Sequence, residues 1–255
     1  MARLKPVGHD ERLSLVEHLD ELRSRLLVCA AALVPALVVC GWKNDLIIEL
    51  LNRPLPAGAQ PITLSPTEPF LTTATLVVYA ALLIALPVVI YQAYAFVLPA
   101  FSPSERRVAL PLMLLAPLLF VGGVAFAYFV VLPPAIDVLL AFNADEFNTQ
   151  LRAREYYGFA ALTLVSLGVL FQVPIAVLAA TRLGLVTPDA LRRGRRYAIL
   201  GIAVLAALLP TIDPVTMLLE MLPLIALYEL SILVARVFGR PSAGAAEPAA
   251  PLETS

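Results

Sequence analysis

Three uninterrupted apolar stretches, residues 70–98, 108–132 and 156–183, decide what this chain can fold into. They contain no Asp or Glu, and their one basic residue, Arg182, stands at the very end of the third. A helix needs about 20 residues to cross the hydrocarbon core of a bilayer, and each stretch exceeds that. Charges gather between the stretches. Hydrophobic residues make up 60% of the chain and charged residues 15%, against roughly 45–50% and 25% in soluble domains. The net charge of −1 gives no bulk attraction to nucleic acid. The solvent of this chain is lipid.

The pattern predicts an all-α membrane protein with six transmembrane helices, near residues 26–42, 70–98, 108–132, 156–182, 197–209 and 216–234. The fifth has 13 residues, about 20 Å of helix. Only Pro210-Thr211-Ile212-Asp213-Pro214-Val215 separates it from the sixth, so helices 5 and 6 read as a short, shallow hairpin. Residues 1–25 form an N-terminal amphipathic segment, 26–236 the membrane domain and 237–255 a disordered tail rich in Ala, Pro and Gly. With the N-terminus inside, 14 of the 18 Lys and Arg fall in inner regions. The positive-inside rule then sets both termini in the cytoplasm.

Prolines 35, 87, 111, 117, 174 and 223 lie within apolar runs and predict kinked helices, which membrane bundles tolerate. Cys29 and Cys40 are too far apart on one helix to pair and read as buried apolar side chains. The loop positions Leu46–Leu51 and 135–142 predict short interfacial helices over the outer mouth. Residues 1–20 are polar and partly acidic, unlike a cleavable signal.

Ser14-Leu15-Val16-Glu17 has capping-box spacing, and Leu15, Leu19, Leu22 and Leu26 recur at helical spacing along the inner surface. Glu21 lies near the membrane entry and Glu105 is the acidic residue of the first inner loop. A carboxylate at headgroup depth accepts a guanidinium through two parallel hydrogen bonds, so two such groups suit two arginines. Local pairing of Glu105 with Arg106 or Arg107 fits the sequence equally well. At depth stand Gln172, Glu220 and Glu229, with Asp213 at the hairpin tip. Ionisable groups there cost about 2.5–3.5 kcal/mol on insertion scales and imply either function or interhelical hydrogen bonding. Glu229, near the inner end, reads as snorkelling or pairing with Arg236.

No His-Glu-x-x-His, Gly-x-Ser-x-Gly or Walker-type loop occurs, and the only histidines are His9 and His18. The reading is therefore not an enzyme, with no catalytic residue, metal or cofactor. A small-solute transporter is the main rival, but such folds carry internal repeats and paired broken helices, which are not visible here.

In order along the chain stand Leu15-Val16-Glu17-His18-Leu19-Asp20-Glu21-Leu22-Arg23-Ser24-Arg25, Tyr91-Gln92-Ala93-Tyr94-Ala95-Phe96-Val97-Leu98-Pro99, Ser104-Glu105-Arg106-Arg107, Ala125-Phe126-Ala127-Tyr128, Phe171-Gln172-Val173-Pro174 and Thr187-Pro188-Asp189-Ala190-Leu191-Arg192. Together they resemble the TatC family, the large membrane subunit of the twin-arginine protein translocase. The resemblance implies a receptor in the bacterial cytoplasmic membrane for the Arg-Arg signal peptides of folded cargo. It implies that the protein assembles with the single-span subunits TatA and TatB, and with further copies of itself, for export driven by the proton gradient. By position it assigns signal binding to Glu21 and Glu105, with Arg23, Phe96 and Pro99 shaping the site. It links Pro54, Phe70, Gln172, Asp213 and Glu220 to transport or partner contact. Where the family often has a glutamate this chain has Gln172, which cannot titrate.

Overall fold

The computed structural model describes residues 15–56, 58–100, 103–142, 146, 150–208 and 214–238. Helix α1 (Leu15–Trp42) leads into the short α2 (Asn44–Asn52), and a loop returns the chain to α3 (Glu68–Val97). After the tight turn Leu98–Ala100 comes α4 (Pro103–Phe126), which widens into a π-turn at Ala127–Val131 and continues as α5 (Leu132–Ala141). Then follow α6 (Ala153–Leu170), α7 (Val173–Arg182), α8 (Pro188–Arg193), α9 (Arg195–Leu208) and α10 (Pro214–Phe238). The fold is the expected all-α membrane architecture of six spans. Among the described residues, His18–Trp42, Glu68–Val97, Met113–Ala141 and Ala153–Arg182 are each long and apolar enough to cross a bilayer.

Proline chemistry explains where the segments depart from single straight helices. Pro133 and Pro134 lack the N–H groups that Phe129 and Val130 would need as α-helical partners, and the turn before them opens into the π form. The expected separate helix at 135–142 is therefore α5, a continuation of the third span. Pro174 does the same to the fourth span, which is broken at Phe171–Gln172 instead of running as one helix. Pro174 falls in the first turn of α7, where a missing donor costs nothing. Pro35, Pro87, Pro111, Pro117 and Pro223 lie inside helices.

From Leu15 the N-terminal segment runs into the first membrane helix, as α1 continues unbroken for 28 residues through the 25/26 boundary. Two other expectations need correction. Helix α9 is short, with 14 residues, but α10 is not: it has 25 and extends beyond 216–234 at both ends. Its polar-flanked ends, Pro214 and Arg236, are helical although they fall outside the apolar window. Cys40 is buried, whereas Cys29 is only partly so. The Ser14 cap, Asp213 and the tail from 239 lie outside the described residues.

Helix α3 is the centre of the bundle and packs on α1, α4 and α6, while α10 packs on α7 and α9. Buried Phe120, Leu132, Ile136, Leu167 and Leu178 fill the interior. Leu118, Phe129, Leu222 and many other large apolar side chains point outward, as lipid-facing positions require. The α4–α6 crossing depends on two glycines. A Cβ on Gly168 would stand 2.6 Å from Cε2 of Phe120, and one on Gly123 would stand 2.7 Å from Cγ of Phe171. Small residues here let the two backbones approach. Helix α7 ends in a Schellman turn: Gly184, at φ 74°, donates to Thr181 O (3.2 Å) and Leu185 to Ala180 O (3.0 Å).

Candidate functional site

The start of α1 and the end of α3 meet at one end of the bundle. Glu21 and Arg25 lie one helical turn apart, with the carboxylate preceding the guanidinium, the favourable order on a helix. Arg25 places Nη2 at 2.5 Å and Nε at 3.1 Å from a single carboxylate oxygen, Oε1 of Glu21. Its remaining nitrogen, Nη1, donates to Oε1 of Gln92 on α3 at 3.0 Å. All three nitrogens are thus engaged, and among the described residues the carboxylate is held by one oxygen only. Both side chains are about a quarter exposed, at 27% for Glu21 and 23% for Arg25. One turn earlier, the His18 ring stacks on Phe96 of α3 with centroids 4.4 Å apart and planes 25° from parallel.

The fold therefore gathers His18, Glu21, Arg25, Gln92 and Phe96 at one place. Arg23 is exposed beside them, and Pro99 is exposed in the turn that ends α3. Glu105 occupies the first turn of α4, and its side chain lies outside the described residues. Sequence reading identified Glu21 and Phe96 but missed the roles of His18, Arg25 and Gln92. A carboxylate flanked by Arg23 and Arg25 shows that a local pair is available, but not which arginine takes it.

The polar groups at depth are separate from this cluster. Gln172, at the α6–α7 break, donates Nε2 to the carbonyl of Ala116 on α4 at 3.2 Å. Its Oε1 is buried without a hydrogen-bond partner. Glu220 is fully buried on α10. Glu229 pairs with Arg195 of α9 at 2.6 Å and not with Arg236. The start of α9 meets the far part of α10, while Arg236 stands almost two turns further along the same helix.

The opposite end is closed by contacts that the sequence did not announce. Three tyrosine hydroxyls reach the last turn of α2: Tyr128 donates to Leu50 O at 2.6 Å, Tyr156 to Leu51 O, and Tyr157 to Oδ1 of Asn52 at 2.9 Å. The Tyr156 bond serves a carbonyl that a helix C-terminus leaves without an intrahelical partner, and the Tyr128 bond adds to the long one that Leu50 O accepts from Arg53 N at 3.4 Å. Glu68, almost fully buried, takes Nε of Arg152 at 2.8 Å on one oxygen and Nη2 at 3.4 Å on the other. Hydrogen bonding to Glu68 first, and its charge second, hold the Arg152 guanidinium above even its usual high pKa. Backbone bonds of 2.8 Å from Ile62 N to Leu151 O and from Ala153 N to Ile62 O join the two loops beside that pair. Pro54 is half-buried after α2 and Phe70 is 76% exposed in the first turn of α3.

Residues 17–223 match the family model described as Sec-independent protein translocase protein (TatC). The chain belongs to the TatC family. It is 38% identical to the TatC protein of Deinococcus radiodurans across 88% of this chain and 86% of that one. It is 34% identical to TatC of Escherichia coli across 88% of each chain. The crystal structure of a twin arginine translocase receptor, TatC, aligns with a TM-score of 0.78 and 34% identity, covering 88% of this chain and all of that one. The chain is thus a membrane component of a protein translocase, a transport protein in which no catalytic activity is indicated.

Proposed function

We propose that this TatC-family chain is the receptor subunit for Arg-Arg signal peptides, with Glu21 as one arginine acceptor and Glu105 as the other. The observation that carries the reading is the half-engaged carboxylate of Glu21. Arg25 fixes Oε1 through two nitrogens, which orients the group and leaves Oε2 for an incoming guanidinium. Charge-assisted bonds of this kind are about twice as strong as neutral ones. Arg23, Phe96 and Pro99 line the same end and shape the approach. Glu105, one turn into the following helix, belongs to the same face of the membrane because α3 ends and α4 begins there.

In this reading both termini face the cytoplasm of a bacterial inner membrane, and the chain works in a complex with TatA, TatB and further copies of itself. Gln172, whose buried carbonyl oxygen has no hydrogen-bond partner among the described residues, is a group at depth suited to a partner helix, and Glu220, fully buried on α10, is assigned with it to transport or partner contact. Pro54 and Phe70, towards the opposite end, belong with Asp213 to the transport or partner surface. The transmembrane proton gradient supplies the energy, about 2.3 kcal/mol per charge per 100 mV.

The test is crosslinking of a twin-arginine signal peptide to photo-probes at positions 21 and 105, in membranes with the partner subunits present. An Arg-Arg to Lys-Lys peptide is the control. Crosslinks that vanish with the control peptide are expected. Equal labelling by both peptides, or none by either, overturns the assignment.

A further inference from the structure

The corner between α8 and α9, at the same end of the bundle as Glu21, concentrates basic charge. Arg182, Arg192, Arg193, Arg195 and Arg196 fall within 15 residues, and the acids near them are Asp189 and Glu229. Of these, Arg195 is neutralised by Glu229 at 2.6 Å. Arg196 lies over the Tyr197 ring, 4.8 Å from its centroid, and donates Nη2 to that hydroxyl at 3.0 Å, which leaves its charge uncompensated. Arg192 and Arg193 are exposed and form no ion pair among the described residues. Arg182, in the last turn of α7, adds a guanidinium whose buried Nε has no hydrogen-bond partner.

The charges are also held in place. The Tyr228 hydroxyl of α10 donates to Leu191 O at 2.8 Å, and its neighbour Glu229 grips Arg195, so α10 pins both short helices at adjacent residues. The Thr187 Oγ1 accepts from Ala190 N at 3.2 Å and caps α8. Helix dipoles favour cations at a C-terminus, which suits Arg192 and Arg193 at the end of α8. They disfavour cations at an N-terminus, yet Arg195 and Arg196 open α9, so this corner gains from an external anion. Tyr197, 64% exposed just before the apolar run of α9, sets the depth at the membrane interface, where tyrosines concentrate.

We propose that the α8–α9 corner is a binding site for anionic phospholipid headgroups, with Arg192, Arg193 and Arg196 as its contacts and Arg182 behind them. A juxtamembrane arginine cluster of this size is what an anionic leaflet attracts, and each such residue contributes about a fivefold gain in affinity.

The test titrates fluorescent phosphatidylglycerol into the detergent-solubilised full chain, with phosphatidylcholine as the neutral comparison and inorganic phosphate as competitor. Saturable binding of phosphatidylglycerol alone is expected, undisturbed by phosphate. The double variant R192Q/R193Q leaves the Arg195–Glu229 pin intact and weakens binding by about 25-fold. R192K/R193K retains binding, and R53Q/R154Q, which removes the same charge from the opposite end, leaves it unchanged. Equal weakening by the two glutamine pairs would mean bulk charge and overturn the site. Equal binding of phosphatidylcholine, loss in the lysine variant, or displacement by inorganic phosphate overturns it as well.

Discussion

The two ends of this bundle treat their polar groups in opposite ways. At the α2 end nearly everything is spent internally: tyrosine hydroxyls close the last carbonyls of α2, and Arg152 grips a buried Glu68 with a fork of two nitrogens. At the Glu21 end the carboxylate is held by one oxygen among the described residues and stays partly exposed, while the Arg25–Gln92 bond and the His18–Phe96 stack tie α1 to α3. Saturated groups close a structure, whereas half-saturated groups on a rigid frame leave hydrogen-bonding capacity for something that arrives later. The contrast makes the α2 end a lid that fixes the loops and the Glu21 end a place of encounter.

Four substitutions test the contrast, from the largest effect to the smallest. Arg152→Ala strands the Glu68 carboxylate in its buried position, because a lone buried charge loses its compensation. It should lower the thermal unfolding temperature in detergent more than the other three variants, with Arg152→Lys recovering part of the loss. An Arg152→Ala protein that unfolds no earlier than one altered at Glu21 would erase the distinction between the ends. Tyr156→Phe leaves Leu51 O without its donor and should cost about 1–3 kcal/mol, measured by chemical unfolding. His18→Ala removes the stack on Phe96 and should cost about 0.5–1.5 kcal/mol in the same assay. Glu21→Gln should cost less than about 1 kcal/mol of stability, since its pair with Arg25 is local and partly exposed. The same Glu21→Gln change should nevertheless weaken twin-arginine peptide binding by about tenfold or more, read by peptide titration, because a charge-assisted bond is lost. A stable but binding-competent Glu21→Gln protein would separate the fold of this end from its proposed use.

Much of the site was legible before the fold, but unevenly. Glu21 and Phe96 stood out because acidic and aromatic residues flank the apolar runs in motifs that resemble a family. Arg25 and Gln92 did not, because their hydrogen bond joins positions 67 residues apart. Glu68 and Arg152 were missed for the same reason, being 84 residues apart. No local pattern distinguishes a loop glutamate that will be buried from one that stays in water. Gln172 was seen as a polar residue at depth, but its place at a helix break followed from Pro174 acting on the preceding turn, and its acceptor, Ala116 O, is on another helix. The pairing of Glu229 was misjudged because the sequence offered Arg236 nearby, whereas the antiparallel packing of α9 on α10 brings Arg195 closer.

By itself the sequence determined that the chain lives in lipid, roughly which stretches form its long apolar spans, and which loops carry most of the arginine. These follow from hydrophobicity and charge summed over local windows, which a bilayer reads segment by segment. The tertiary structure decided how tightly helices cross at Gly123 and Gly168, which carboxylates are spent and which stay half open, and how α10 clamps the basic corner between α8 and α9. Those outcomes depend on contacts between residues distant in the chain, within distances of a few ångströms that only packing sets.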